Sequence, residues 1–102
     1  MQPTYDLNQI KQLFAQRNYR ITVTALQTAA LMGFLAEYIV ECITDHFLDS
    51  HFYKTMVSEQ IPGLMQDVYK IYYEGERVYL KLQINKAGWA VAVSFKEDES
   101  SP

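Results

Sequence analysis

The sequence predicts an α+β domain, N-terminal helices packed on a C-terminal antiparallel sheet, and two observations carry that prediction. Apolar residues recur with a helical period before Ser50 and with a period of two after it, and helices followed by strands in one short chain give an α+β layer rather than a wound α/β fold. A chain of 102 residues supports one hydrophobic core and falls short of two, so residues 1–102 are read as a single domain. With 49% hydrophobic and 21% charged residues, the composition is that of a folded globular protein rather than a disordered one.

The elements follow in order. Asp6 with Gln9 three residues on is a capping-box pattern, and Leu7, Ile10, Leu13 and Phe14 fall on one stripe, so a first helix is expected to about Arg17. Arg20 to Thr22 suits a short extended piece. Thr24 and Gln27 repeat the capping signature, and Gly33 is placed to end that second helix. Ile39, Val40 and Ile43 mark the buried stripe of a third helix that fades near Asp45, with Glu37 and Glu41 on its wet side.

Beyond Ser50, Val78, Leu80, Leu82 and Ile84 alternate with Tyr79, Lys81 and Gln83. Trp89, Val91, Val93 and Phe95 alternate with Ala90, Ala92, Ser94 and Lys96 in the same way. Asn85 to Gly88 is turn chemistry, so these strands should form an antiparallel hairpin. Setting Ile84 opposite Trp89 puts Val91, Val93 and Phe95 on the core face, with Tyr79 opposite Ser94 and diagonal to Lys96 on the other. Asp67 to Tyr73 reads as a further strand joined through Glu74-Gly75, which would bring Gln66, Val68 and Lys70 onto the Tyr79 face. His51 to Met56, carrying Lys54, could add one more. Residues 97–102, opening with Glu97, Asp98 and Glu99, are expected to be a disordered acidic tail.

The formal charge of -3 argues against a nucleic-acid partner, but its distribution does not. Met1 to Ser50 holds three basic and five acidic residues, whereas His51 to Lys96 holds six basic and four acidic. A phosphate-binding site therefore belongs in the second half. The stretch from Thr28 to Cys42 is broken by Gly33, Glu37 and Glu41 and is not a membrane span, and Met1 to Asp6 lacks a secretory signal, so a cytoplasmic location is expected. Cys42, set among Ile39, Val40 and Ile43, is read as a small buried hydrophobe, and one thiol with two histidines makes no structural zinc set. His46 and His51 titrate near neutrality but are set aside as catalysts, His46 because it closes a helix, where a cation suits the dipole.

The blocks Phe52-Tyr53-Lys54-Thr55-Met56, Gln66-Asp67-Val68-Tyr69, Val78-Tyr79-Leu80-Lys81 and Val93-Ser94-Phe95-Lys96 together resemble the MqsR mRNA interferase toxins. The resemblance is strong from about Ser50 to Glu97 and rests, further upstream, on the order of helices. It implies a RelE-like fold and a toxin of a type II toxin-antitoxin system. The activity it implies is ribosome-independent, metal-independent and sequence-preferring cleavage of single-stranded mRNA, with no cofactor and with a cognate antitoxin as protein partner. It also carries over a catalytic quartet, Lys54, Gln66, Tyr79 and Lys96. The chain departs from the family in a longer connection between Tyr79 and Lys96 and in its acidic overall charge.

For such a set the lysines, protonated at neutral pH, suit the holding of phosphoryl oxygens. Tyr79 is expected to act as acid or base, with Lys96 lowering its pKa, and Gln66 to orient the phosphate or a base edge. Lys70, Arg77 and Lys81 would bind RNA beside them, and Met56 and Tyr72 would offer stacking surface to an unpaired base. Two rivals stand against the ribonuclease: a catalytically weak or inactive RNA- or antitoxin-binding module of the same fold, and a metal-dependent nuclease, for which the carboxylates are too scattered.

Overall fold

Asp6 opens the first helix. Its carboxylate accepts from the Asn8 amide and α1 (Leu7–Ala15) follows, with Leu7, Ile10 and Phe14 buried. The helix ends where Arg17 takes a φ of 64° and the Asn18 amide donates back to the Leu13 carbonyl at 2.8 Å, a Schellman closure that turns the chain into the sheet. The computed structural model describes residues 1–99.

The extended piece is a true strand, β1 (Tyr19–Ile21), and it pairs with the last strand in parallel. Because that pairing fixes the chain through Ile21, Thr22 and not Thr24 caps α2 (Val23–Leu31): its hydroxyl accepts from the Ala25 amide at 3.0 Å. Gly33, at φ +87°, ends α2 as expected, and the Phe34 amide closes back on the Ala29 carbonyl. α3 (Ala36–Glu41) then continues as a π-helical turn over Cys42–His46, and this segment is bent 96° from α2. Ile39, Cys42 and Ile43 are fully buried.

The other strands are β2 (Phe52–Val57), β3 (Met65–Tyr73), β4 (Glu76–Ile84) and β5 (Ala90–Glu97), in the sheet order β1-β5-β4-β3-β2. All neighbours are antiparallel except β1 and β5, so the sheet is mixed where a wholly antiparallel one is predicted. Helices cover one face, packing Phe14, Ala25, Ala29, Ile39, Ile43 and Phe47 against Tyr69, Val78, Leu80, Leu82, Ala92 and Phe95. Among the described residues, no helix lies on the other face.

The β4–β5 hairpin departs from the expected register. Asn85 itself pairs with Trp89, accepting from its amide through Oδ1 and donating to its carbonyl at 2.9 Å, so the loop is three residues ending at Gly88, whose φ is +83°. Ile84 therefore meets Ala90 and Leu82 meets Ala92. Ala90 and Ala92 face the helices, and Val91 lies opposite Gln83 on the uncovered side. The cause is α2: Ala25 and Ala29 are fully buried against β5, and small residues on both surfaces let helix and strand come close.

A bulge at Val93 then restores the phase. Ser94 pairs with Lys81 and Phe95 with Leu80, so Phe95 returns to the core. The carbonyl that the bulge takes out of the ladder is met by the Thr22 hydroxyl at 2.9 Å, and the next one along that edge, of Phe95, by Thr28 at 2.6 Å.

The first two residues of the segment expected to be a disordered acidic tail are ordered against the sheet. Glu97 is the last residue of β5, and Asp98 donates its amide to the Arg77 carbonyl at 2.8 Å. The rest of that tail, 100–102, lies outside the described residues.

Candidate functional site

The uncovered face of the sheet is built from alternate residues of four strands. The two-residue turn Glu74-Gly75, with φ of 53° and 78°, fixes the β3–β4 register as the sequence predicts, so Lys70 pairs with Tyr79 and Val68 with Lys81. Across β2 the register pairs Lys54 with Val68 and Met56 with Gln66. Three rows result. Lys70, Tyr79 and Lys96 form the first; Lys54, Val68, Lys81 and Ser94 the second; Met56, Gln66, Gln83 and Val91 the third. Tyr72 and Arg77 pair beyond the first row, towards the Glu74-Gly75 turn.

All nine candidate residues thus share one face: Lys54, Gln66, Tyr79 and Lys96 together with Met56, Lys70, Tyr72, Arg77 and Lys81. The one-residue shift at the hairpin loop and the bulge at Val93 together set Lys96 directly opposite Tyr79 instead of diagonal to it. In that position the Lys96 ammonium lies over the face of the Tyr79 ring, 4.9 Å from its centroid. It holds the ring rather than reaching the hydroxyl. Burial, then Tyr53, then Asp98 raise the Tyr79 pKa above its ordinary value, so the lowering expected from Lys96 is corrected to a rise. The phenol keeps its proton at neutral pH.

Lys81 behaves in the opposite sense. It sits in the middle of the four strands, half-buried, and burial together with the positive charges of Lys96 and Lys54 lowers its pKa against the smaller opposing pull of Glu59. Gln66 is 7% exposed and donates its amide to the Gln83 side-chain oxygen at 2.9 Å, which locks its orientation and presents its own carbonyl oxygen as an acceptor. Next to it a cavity of about 130 Å³ is lined by Gln66, Lys81 and Val93 from the sheet and by Ser58, Glu59 and Gln60 from the β2–β3 connection. The Ser58 hydroxyl shapes that connection by accepting from the amides of Gln60 and Ile61.

Three neighbours escape the sequence pattern. Alternation along β2 would put Tyr53 behind the sheet, but a bulge between Phe52 and Lys54 turns it forward, 55% exposed, with the Lys70 ammonium 3.9 Å from its ring centroid. Asp98 pairs with Lys70 at 3.5 Å and with Arg77 at 3.9 Å, bringing a carboxylate into the basic face. Glu59 stands on a connection whose course the sequence does not indicate. Asp67, one residue from Gln66, has a supporting role: fully buried, it accepts from the Thr4 and Tyr5 amides at 3.0 and 2.8 Å and pins the N-terminal segment to β3.

His46 packs against Tyr73 on the helical side, and the His51 Nδ1 accepts from the Leu48 amide, so neither histidine joins this face. Burial and the adjacent Glu41 push the Cys42 thiol up to about 12, which leaves it inert.

The amino-acid sequence matches a known family along nearly the whole chain: the family model described as motility quorum-sensing regulator, toxin of MqsA, aligns with residues 2–97. The chain belongs to the MqsR toxin family. It is accordingly the toxin of a toxin-antitoxin pair, with an antitoxin as its partner. No curated protein matches it at a significant level. The match extends well upstream of Ser50 and takes in the helices, where the resemblance in residues is weakest. Among the described residues no single helix of this MqsR-family toxin is long and apolar enough to cross a membrane.

Proposed function

We propose that this toxin inhibits translation as a ribosome-independent, metal-independent and sequence-preferring endoribonuclease of single-stranded mRNA. The observation that carries the proposal is the gathering of Lys54, Gln66, Tyr79 and Lys96, from four different strands, on the sheet face that no helix covers among the described residues. Each comes from a segment that resembles the interferases, and three are separated by more than ten residues from the next.

In the reaction, the 2′-oxygen of the substrate loses its proton and forms a bond to phosphorus. The bond from phosphorus to the 5′-oxygen breaks, and that oxygen takes up a proton, leaving a 2′,3′-cyclic phosphate and a 5′-hydroxyl. Tyr79, whose proton is held more tightly than usual, donates to the departing 5′-oxygen. Lys81, whose proton is held less tightly, accepts from the 2′-hydroxyl. Lys54 and Lys96 stabilise the crowded anionic phosphorane between them. Gln66 and Glu59 line the cavity beside Lys81, where an unpaired base can enter and present its hydrogen-bonding edge. Met56 and the exposed rings of Tyr53 and Tyr72 supply further stacking surface. Support for a metal-independent route comes from the side chains themselves: among the described residues no three of His, Cys, Asp and Glu are grouped to hold a cation.

Asp98, already paired with Lys70 and Arg77, favours the alternative of a weak or inactive binding module. Incubating the purified toxin with single-stranded RNA in excess chelator separates the two. Chelator-resistant cutting that leaves cyclic-phosphate ends, reduced about 10²- to 10⁴-fold in Tyr79→Phe and strongly reduced in Lys96→Ala, is the expected result. Binding without cutting establishes the module instead, and cutting abolished by chelator overturns the metal-independent mechanism.

A further inference from the structure

From Ile21 to Tyr53 the chain has no lysine or arginine, whereas Glu37, Glu41, Asp45 and Asp49 all lie in that interval. The helical segments of that interval, α2, α3 and the turns to His51, lie on the side of the molecule opposite the lysine-bearing sheet face and carry those four carboxylates without a lysine or arginine. A cavity of about 450 Å³ opens on the acidic side, at the junction of α2, α3 and the β3–β4 turn. Phe34, Tyr38 and Tyr73 give it aromatic walls, and Glu41 and Glu74 give it carboxylates. Among the described residues no lysine or arginine lines it.

Its parts are held in place. The Phe34 and Tyr73 rings pack at 5.5 Å between centroids, and the Tyr73 hydroxyl donates to Glu41 Oε2 at 3.4 Å, fixing that carboxylate against the wall. Burial and the neighbouring acidic groups push the Tyr73 pKa up to about 12, as a negative local potential requires. In the lining itself Tyr38 is 43% exposed, and Leu35, next to Phe34 in the chain, is 60% exposed. Exposed apolar side chains beside a charged cavity mark a surface that is covered in a complex.

We propose that this cavity docks an arginine side chain presented by an apolar segment of a partner protein. The guanidinium is the cation that best matches aromatic faces combined with carboxylates, since it stacks on rings and pairs with oxygens in its own plane. The exposed Leu35 and Tyr38 assign it to a polypeptide rather than to a small free cation, which would leave them in water. RNA, the substrate proposed for the other face, is repelled here by the same carboxylates.

The test uses the tripeptide acetyl-Leu-Arg-Leu-amide and its counterpart with citrulline, the neutral isostere of arginine. Titrations of the whole protein are followed by amide chemical shifts. The arginine peptide should bind about tenfold more tightly than the citrulline peptide, with shifts centred on Tyr38, Glu41, Tyr73 and Glu74. A Glu41→Gln, Glu74→Gln double variant should lose that preference while binding the citrulline peptide as before, and Tyr38→Ala, at an exposed position, should weaken both. Equal binding of the two peptides, or shifts spread over the acidic surface, overturns the proposal. Agmatine binding as tightly as the arginine peptide refutes the polypeptide partner. None of these outcomes depends on ribonuclease activity.

Discussion

Replacing Asp98 with Asn should tighten RNA binding, although the residue is not one of the proposed catalytic quartet. Its carboxylate lies 3.5 Å from the Lys70 ammonium and 3.9 Å from the Arg77 guanidinium, with only 12% of the side chain exposed. A phosphate seated on Lys70 would stand on the order of 6 Å from that carboxylate, where like charges repel by about 0.7 kcal/mol even at the dielectric constant of water. Removing the charge is therefore worth a factor of about three in affinity. If Lys70 or Arg77 then makes one more phosphate contact, the slope of log affinity against log salt steepens by about 0.7, and by about 1.4 if both do.

The backbone hydrogen bond from Asp98 to Arg77 survives in the Asn variant, so the end of β5 keeps its place. Fluorescence anisotropy with a 2′-O-methylated RNA, which cannot be cut, gives affinity and salt slope together. Asp98 also contributes to the raised pKa of Tyr79, so absorbance titration of the variant should show that phenol ionising at lower pH. Unchanged or weaker binding with an unchanged slope would refute the view that Asp98 competes with phosphate.

Other outcomes follow from the same geometry. Tyr69 has its hydroxyl fully buried with no hydrogen-bond partner among the described residues, so Tyr69→Phe should raise stability by about 1 kcal/mol and Tm by about 4–8 °C in calorimetry. Thr22→Val removes both the α2 cap and the donor to the Val93 bulge carbonyl and should cost about 1–2 kcal/mol in urea unfolding. Thr24→Val, at an exposed position in the helix, should cost far less. A base must be deprotonated to act, so if Lys81 takes the 2′-proton the single-turnover rate rises with pH up to a value below 10.5 and falls again only where Tyr79 ionises, above 10. Lys81→Arg should abolish the rising limb; a flat profile for the parent protein removes Lys81 from that role.

Much of the site is legible without coordinates because it depends on local rules. A two-residue turn at Glu74-Gly75 fixes the β3–β4 register, and alternation then puts Gln66, Lys70, Tyr79 and Lys81 on one side. What the pattern misses lies at bulges. Tyr53 is turned where one residue is added to a strand, and the direct pairing of Tyr79 with Lys96 needs such an added residue on top of the shift at the hairpin loop; an added residue inverts every later inference from alternation. Val91 and Val93 show the same limit from the other side: apolar residues at every second position look like a core stripe, yet Ala90 and Ala92 between them are the ones buried against α2.

The sequence by itself determined the class of the fold, the order of its elements, the start of α1 and the C-terminal end of α2, and which strand segments carry the chemical groups. Each of these is decided by residues close together in the chain: a cap, a glycine at positive φ, a period of two or of 3.6. Tertiary structure alone decided the parallel seat of β1 beside β5, the choice of Thr22 as cap, the bulge that Thr22 supports, and the opposite pKa shifts of Tyr79 and Lys81. Those depend on groups tens of residues apart, and on how closely a helix of small side chains can approach a strand.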